Sequence, residues 1–266
     1  MTTVSVIIPT WNRSALLPKA IRSALAQTLP PLEVLVCDDG STDDTEAVVG
    51  SFDDSRLVWL PGERAGRPAV PRNRGIAASR GEWVAFLDDD DVWYPEKLEK
   101  QVALAKQLGC QAVCGNAVRL VPGQETNGNL LDCHHDRFSF EHLLTANFVI
   151  CSSAMMHRSL FADVGGFPPS PALTTGEDYA LWLRVATKTD FAYCAEPLLD
   201  YRDDPAYSVR ANGVDDCTQK RRALKDFIGW ADGTQGDRAK TRAAKRLLRR
   251  LYVAEAWKWC RRVCMP

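Results

Sequence analysis

Four aspartates stand in a row, Asp88-Asp89-Asp90-Asp91, directly after the apolar run Trp83-Val84-Ala85-Phe86-Leu87. Such a run reads as a buried strand, so the carboxylates issue from its end into a shared space. Crowded like charges repel, and in a dry setting some keep their protons unless a cation compensates. Oxygen-only donors select hard cations, Mg²⁺ or Mn²⁺, and a small carboxylate set leaves coordination positions for substrate phosphates. The plain alternative is a solvated loop with a helix-capping Asp. A second acidic group, Asp38-Asp39-Gly40-Ser41-Thr42-Asp43, closes the run Val34-Leu35-Val36-Cys37. A carboxylate there can accept from a base N–H or a ribose hydroxyl, although Asp-Gly-Ser is also turn chemistry. Between the two, Pro71-Arg72-Asn73-Arg74-Gly75 offers guanidinium forks for phosphate or for a neighbouring carboxylate. Farther along, Thr175-Gly176-Glu177-Asp178-Tyr179 opens a helical pattern. Consecutive helical residues point about 100° apart, so one acid can face a site as a general base while the other supports it. The alternative is a pair of acids facing the helix dipole.

The elements that must position these groups alternate. Val4–Pro9, Leu32–Cys37, Leu57–Leu60 and Trp83–Leu87 read as strands. Helical patterns over Asn12–Gln27, up to Val49 (capped by Ser41 or Thr42), Pro71–Arg80 and Pro95–Leu108 separate or follow them. Alternation of this kind predicts an α/β fold with a mostly parallel sheet flanked by helices. Past Gln111 the spacing predicts strands at Ala112–Leu120, Val149–His157, Phe191–Cys194 and Leu198–Tyr201. It predicts helices at Phe140–Ala146, Ser159–Val164 and Glu177–Thr187, and helix again beyond Asp215, interrupted near Gly233–Gly236.

Taken in order, Val4-Ser5-Val6-Ile7-Ile8-Pro9-Thr10-Trp11-Asn12-Arg13, Asp38–Asp43, Arg72–Gly75, Gly81-Glu82, Phe86–Trp93, Gly165-Gly166-Phe167 and Gly176-Glu177-Asp178 resemble the family 2 glycosyltransferases. The resemblance covers roughly residues 4–210. It implies the Rossmann-like GT-A fold and an inverting transfer of a hexosyl or N-acetylhexosaminyl group from a nucleotide-diphosphate donor, usually a UDP-sugar. The acceptor would be a hydroxyl of a glycan or lipid-linked molecule, as in polysaccharide biosynthesis. It further implies donor-nucleotide binding by Pro9, Thr10, Asn12, Asp39, Arg72, Asp88 and Asp89. Asp88-x-Asp90 matches the DxD motif, with Asp90 and Asp88 toward Mn²⁺ or Mg²⁺; the four-Asp run admits a register shifted by one, drawing in Asp89 or Asp91. Asp178 matches the catalytic base, with Glu177 beside it. Family members often carry a histidine after a Tyr-Arg pair. Here Tyr201-Arg202-Asp203-Asp204 has Asp204 in its place, a further metal-side candidate or a plain loop acid. The runner-up is a non-catalytic nucleotide-sugar or carbohydrate-binding relative, which would have no use for the Glu177-Asp178 pair. A sugar nucleotidyltransferase would need a Gly-rich phosphate loop that the sequence lacks.

The 266 residues carry a net charge of −1, which hides an asymmetry. Gln219–Arg262 holds 14 Lys and Arg against 4 acids, a surplus of +10, while the preceding residues sum to −11. From these shifts we expect a catalytic domain at 1–214, with a nucleotide-binding half at 1–110 and an acceptor-side half at 111–214. A basic helical extension follows at 215–266. In Ala243–Trp257 the residues Ala244, Leu247, Leu248, Leu251, Tyr252 and Ala254 share one helical face, with Trp257 and Trp259 near its end. That face either docks on the catalytic domain or lies on anionic lipid; nucleic-acid binding lacks a matching motif. Nine cysteines without a compact pairing pattern read as reduced, mostly buried thiols. The N-terminus has no basic segment followed by a long apolar one. The expectation is a cytoplasmic enzyme, associated with the inner face of the membrane if its tail contacts lipid.

Overall fold

The computed structural model describes residues 2–121, 123, 128–173, 175–204, 215–234 and 236–264, with side chains to residue 255. Residues 122 and 124–127 of the expected acceptor-side half and the side chains of Trp257, Trp259, Cys260 and Cys264 lie outside the described residues.

β1 (Val4–Thr10) is buried along its whole length, as befits an unbroken apolar run in the middle of a sheet. α1 (Leu17–Leu25), β2 (Glu33–Asp38), α2 (Thr45–Gly50), β3 (Leu57–Leu60), α3 (Ala69–Ala78) and β4 (Trp83–Phe86) follow. Their four strands are parallel in the order β3-β2-β1-β4. Side chains alternate between two cores. Val6, Ile8, Val34 and Val36 face α1, while Ile7, Leu35, Cys37 and Phe86 face the other layer. Full burial of one such side chain contributes roughly 1.5–3 kcal/mol. α3 lies close on that second face because Gly75 has no side chain; a Cβ there would stand 2.7 Å from Ile7 Cγ2 and 2.8 Å from Cys37 Sγ.

The chain continues through β5 (Val92–Trp93), α4 (Lys97–Leu108), β6 (Ala112–Leu120), β7 (Arg137–Phe138) and α5 (Phe140–Thr145). It then passes through β8 (Met155–His157), α6 (Leu160–Val164), α7 (Glu177–Val185) and β9 (Phe191–Arg202). β8 runs antiparallel between β4 and β6, so the sheet is mixed at its centre, while β6 and β9 are parallel. β5 and β7 add short antiparallel pairings to β9.

Several expected elements differ. α1 starts at Leu17 rather than Asn12. Asn12 sits at φ 51° and is tied to the loop after β2, its N–H donating to Ser41 Oγ at 2.8 Å and its Oδ1 accepting from Thr42 N at 2.7 Å. Ser41 and Thr42 are thereby taken from the capping role expected of them; Thr45 N at the start of α2 donates to Asp43 Oδ1 instead, at 3.1 Å. The run Val149–His157 breaks into a 3₁₀ turn at Cys151–Ser153 before β8, with Ser153 Oγ accepting from Gly115 N at 3.1 Å. The two short strands expected at 191–201 are one strand, β9, whose register against β6 shifts at Gly115–Val118.

α8 (Asp216–Gly233) and α9 (Arg238–Cys264) close the chain. Asp215 caps α8, accepting from Thr218 N at 3.0 Å. Ala223, Leu224, Phe227 and Ala231 of α8 and Ala244 of α9 are buried in the larger core, and Leu247, Leu248 and Leu251 pack against it. The apolar face of the basic tail therefore docks on the body of the molecule, against α5 and α8. Among the described residues no helix is long and apolar enough to cross a membrane. The seven described cysteines are free thiols.

Candidate active site

β1, β2 and β4 end side by side, and open α/β sheets bind ligands at such carboxyl ends. Pro9 pairs in register with Cys37, and Thr10 with Asp38. Asp38 is a structural group: its carboxylate accepts from Gly40 N and Ser41 N, both at 2.9 Å. Asp39 is buried and held from one side. Its Oδ1 accepts from Ala65 N and its Oδ2 from Gly66 N, each at 2.9 Å, and the Arg64 guanidinium binds it too. Arg64 also lies over the exposed Trp11 ring, 3.6 Å from its centroid. Gly40, at φ 78°, lets this segment approach; a Cβ there would stand 2.7 Å from Arg64 N.

The acidic run turns tightly after β4, with Asp91 N donating to Asp88 O at 3.2 Å. Each carboxylate has its own surroundings. Asp88 Oδ1 receives Arg72 at 2.6 Å, and Asp89 Oδ2 accepts from Thr10 Oγ1 at 2.8 Å. Asp90 faces Arg13 at 3.8 Å. Asp91, 1% exposed, accepts from Arg202 N at 2.8 Å, while its Oδ2 is buried without a hydrogen-bond partner. Burial and the crowding of like charges raise the pKa of Asp89 to about 7 and of Asp90 to about 6, and push Asp91 well above the carboxylate range. Asp204 joins this side through Arg202, whose guanidinium donates to it at 2.8 Å.

Arg72 is the joint of the site. Buried in α3, it donates to Asp88 and, at 2.7 Å, to Glu177 Oε1. Its guanidinium lies 5.2 Å from the Phe167 ring centroid. Glu177 and Asp178 open α7 behind Gly176, which takes φ 95° to start the helix. Burial, opposed by Arg72, lifts the Glu177 pKa to about 7. Asp178 is half-buried, and its Oδ1 accepts from Tyr179 N at 2.6 Å. Thus Arg72, Asp88 and Glu177 make direct contact, with Asp178 alongside. Thr10 and Asp89 form a second contact. Asn12 and Asp39 belong to the neighbouring wall. Arg74, rather than Arg72, braces the end of β2, donating to Asp38 O and Leu60 O at 2.8 Å each.

Three contributors have no sequence signal of their own. Ser152 Oγ accepts from Asp88 N at 3.0 Å, and its carbonyl accepts from Trp93 Nε1 at 2.7 Å, which fixes the acidic turn from below. Cys151 lies within electrostatic reach of Arg72, Asp88, Asp178 and Glu177, with its thiol pushed up by burial. Asn73 clamps the turn before α7, donating to Phe167 O at 2.7 Å and accepting from Phe167 N at 2.8 Å. Arg72 is marked in the sequence as a fork for a neighbouring carboxylate; its link to Glu177 and the hold of Asn73 on Phe167 are not, because those partners lie about a hundred residues away.

Among the described residues no three His, Cys, Asp or Glu side chains gather as a ready-made cation cage. Mg²⁺ and Mn²⁺ do not need one, because one or two carboxylates and substrate phosphates complete their shell. Oxygen donors with raised pKa values, and an unpartnered buried Oδ2 on Asp91, fit such a cation in chemistry.

The sequence pattern described as Glycosyl transferase family 2 matches residues 5–165. The chain is similar to the UDP-Glc:alpha-D-GlcNAc-diphosphoundecaprenol beta-1,3-glucosyltransferase WfgD of Escherichia coli. The two are 29% identical over 227 residues, 85% of this chain and 86% of that one. It is also similar to the putative teichuronic acid biosynthesis glycosyltransferase TuaG of Bacillus subtilis, 29% identical over 202 residues, 75% of this chain and 78% of that one. Among solved structures, residues 1–349 of TarS from S. aureus in complex with UDP-GlcNAc superimpose with a TM-score of 0.72 at 18% identity. That match covers 94% of this chain and 72% of that 1–349 chain.

Proposed function

The chain belongs to glycosyl transferase family 2, and from that premise we propose that it transfers a sugar from a UDP-sugar to a hydroxyl of a lipid-linked glycan acceptor, with inversion. Arg72 carries the reading: it ties the acids at the end of β4 to the acids at the start of α7, so donor chemistry and acceptor chemistry share one hinge. The relatives' names supply the substrate classes, UDP-glucose and a diphosphoundecaprenol acceptor in WfgD.

In this reading the base of the donor enters between Trp11 and Asp39, and Arg64 yields its place on both. Thr10 holds Asp89 in position, and Asn12 keeps the two loops of the nucleotide wall together. Asp90, with Asp88, holds Mn²⁺ or Mg²⁺, which when bound neutralises charge on the leaving diphosphate. Arg72 holds Asp88 and Glu177, and Glu177 thereby supports the start of α7. Asp178 removes the proton from the acceptor hydroxyl as it attacks from the face opposite the leaving group. Asp204 steadies the metal side through Arg202. The cationic outer face of α9 brings the protein to an anionic membrane surface.

The test uses a panel of UDP-sugars with a diphosphoprenyl-GlcNAc acceptor. Asp178→Asn should bind UDP with wild-type affinity by calorimetry while transfer falls at least about a hundredfold, the scale of general-base catalysis. Transfer at the wild-type rate in that variant would remove Asp178 from the mechanism.

A further inference from the structure

Away from the acidic centre, one groove combines positive charge with an apolar floor. Leu144 and Thr145 of α5, Lys220 of α8, and Arg246, Leu247 and Arg250 of α9 line a space of about 410 Å³. Leu144 and Leu247 are half-buried and pack against the larger core, so the floor is fixed. Lys220 donates from its ammonium to Thr145 O at 2.6 Å, and burial lowers its pKa. A nearby anion would offset that burial. Two other cations of these helices have carboxylate partners: Arg221 pairs with Glu255, and Lys245 with Asp232. Arg246 and Arg250 are exposed and pair with no carboxylate among the described residues. They stand four residues apart on one helix, hence on one face.

The groove connects to the site by direct contacts. Tyr179, which follows Asp178, donates from its hydroxyl to Leu143 O in the last turn of α5. Gln219, next to Lys220, lies close to Gly176 at the start of α7, where a Cβ would stand 3.8 Å from Gln219 Cβ, and α8 as a whole packs on α7. Both walls of the groove therefore continue into the helix that bears Glu177 and Asp178.

We propose that this groove holds the diphosphate and first isoprene units of a prenyl-linked acceptor, with Lys220, Arg246 and Arg250 on the phosphates and Leu144 and Leu247 under the chain. Forked guanidinium donors suit phosphoryl oxygens, and two of them one turn apart suit a diphosphate. An apolar floor beside them suits a ligand whose anionic head is joined to hydrocarbon. The assignment rests on the acceptor half of the proposed function and says where that acceptor lies.

Calorimetric titration of the full chain with farnesyl diphosphate, in saturating UDP and Mn²⁺ to fill the donor side, tests it. The wild type should bind farnesyl diphosphate more tightly than inorganic pyrophosphate or farnesol. Arg246→Gln/Arg250→Gln should lose affinity for it by about tenfold or more, as lost charge-assisted bonds require, with UDP affinity unchanged. Arg250→Glu, an exposed single change, should weaken binding in the same direction and guards against a folding defect in the double variant. Three outcomes would overturn the assignment: pyrophosphate binding as tightly as farnesyl diphosphate, unchanged affinity in both variants, or a loss confined to binding of phosphatidylglycerol vesicles. A wild type that binds farnesyl diphosphate in the groove but never binds UDP would instead sink the transferase reading and leave the groove standing.

Discussion

Arg72 reaches Glu177 with one terminal nitrogen and Asp88 with the other, so two carboxylates share one positive charge in a space where Glu177 is 6% exposed. Burial, with the neighbouring Asp178 charge adding to it, outweighs the pull of Arg72 and lifts the Glu177 pKa to about 7. A point charge would also fail to reach both partners. Arg72→Met leaves Glu177 buried without a counter-charge and should cost about 3–5 kcal/mol in chemical denaturation; Arg72→Lys should recover less than half of it. The pH dependence has a definite sign. A folded carboxyl with a raised pKa binds more protons than the unfolded chain between its two pKa values, so stability falls as pH rises through that window. For Glu177 the window runs from 4.5 to about 7, and Asp89 and Asp90 act in the same direction. Without divalent cations, Tm should fall steadily from about pH 5 to about pH 7.5. Glu177→Gln should make that slope visibly shallower; an unchanged slope would show that Glu177 ionises normally.

At the scale of elements, α8 is a member of the core rather than an appendage to it. Phe227 is fully buried and meets Phe140 at 5.2 Å between ring centroids. Phe227→Ala should cost about 3–5 kcal/mol, read as a Tm loss on the order of 10 °C; a surface-like loss under about 1 kcal/mol would show that α8 is only loosely attached. The same scale separates what the sequence made legible from what it did not. β1, β2 and β4 announced themselves because strands buried on both faces are written as largely apolar runs, and the acids at the ends of β2 and β4 were consecutive. The antiparallel insertion of β8 was hidden. Val149–His157 is mostly apolar, interrupted by Ser152 and Ser153, and the distant bonds of Ser152 to Asp88 and of Ser153 to Gly115 hold its first part in 3₁₀. The late start of α1 was hidden for a similar reason, since Asn12 exchanges helical bonds for contacts with a loop some thirty residues away. Periodicity reports which face is buried; it carries no record of a partner far along the chain. The acids of the candidate site were therefore readable one by one, and their linkage through Arg72 was not.

For the whole molecule, the split between an acidic body and a basic tail becomes a spatial arrangement: carboxylates at the carboxyl ends of β2 and β4 and cations on helices that cover the core behind α7. An acidic mouth repels a diphosphate until a cation intervenes. UDP alone should thus raise Tm little, whereas UDP with Mn²⁺ at about 100 times its Kd should add roughly 2.7 kcal/mol of stability. Chelation should return the Tm to its starting value, and an equal shift with and without Mn²⁺ would argue against a metal in donor binding. The clamp formed by Arg72 and Asn73 has one further consequence, for ancestry. Both residues lie in the first 110 positions and grip Glu177 and Phe167 in the second part of the chain, while Ser152 grips Asp88 in return. A gene recombined between two relatives near residue 110 inherits the two sides of each grip from different parents. Hybrid chains of this kind should survive only where those partners still match, so specificity for a new acceptor is acquired by changes beyond the clamp and not by wholesale exchange of halves.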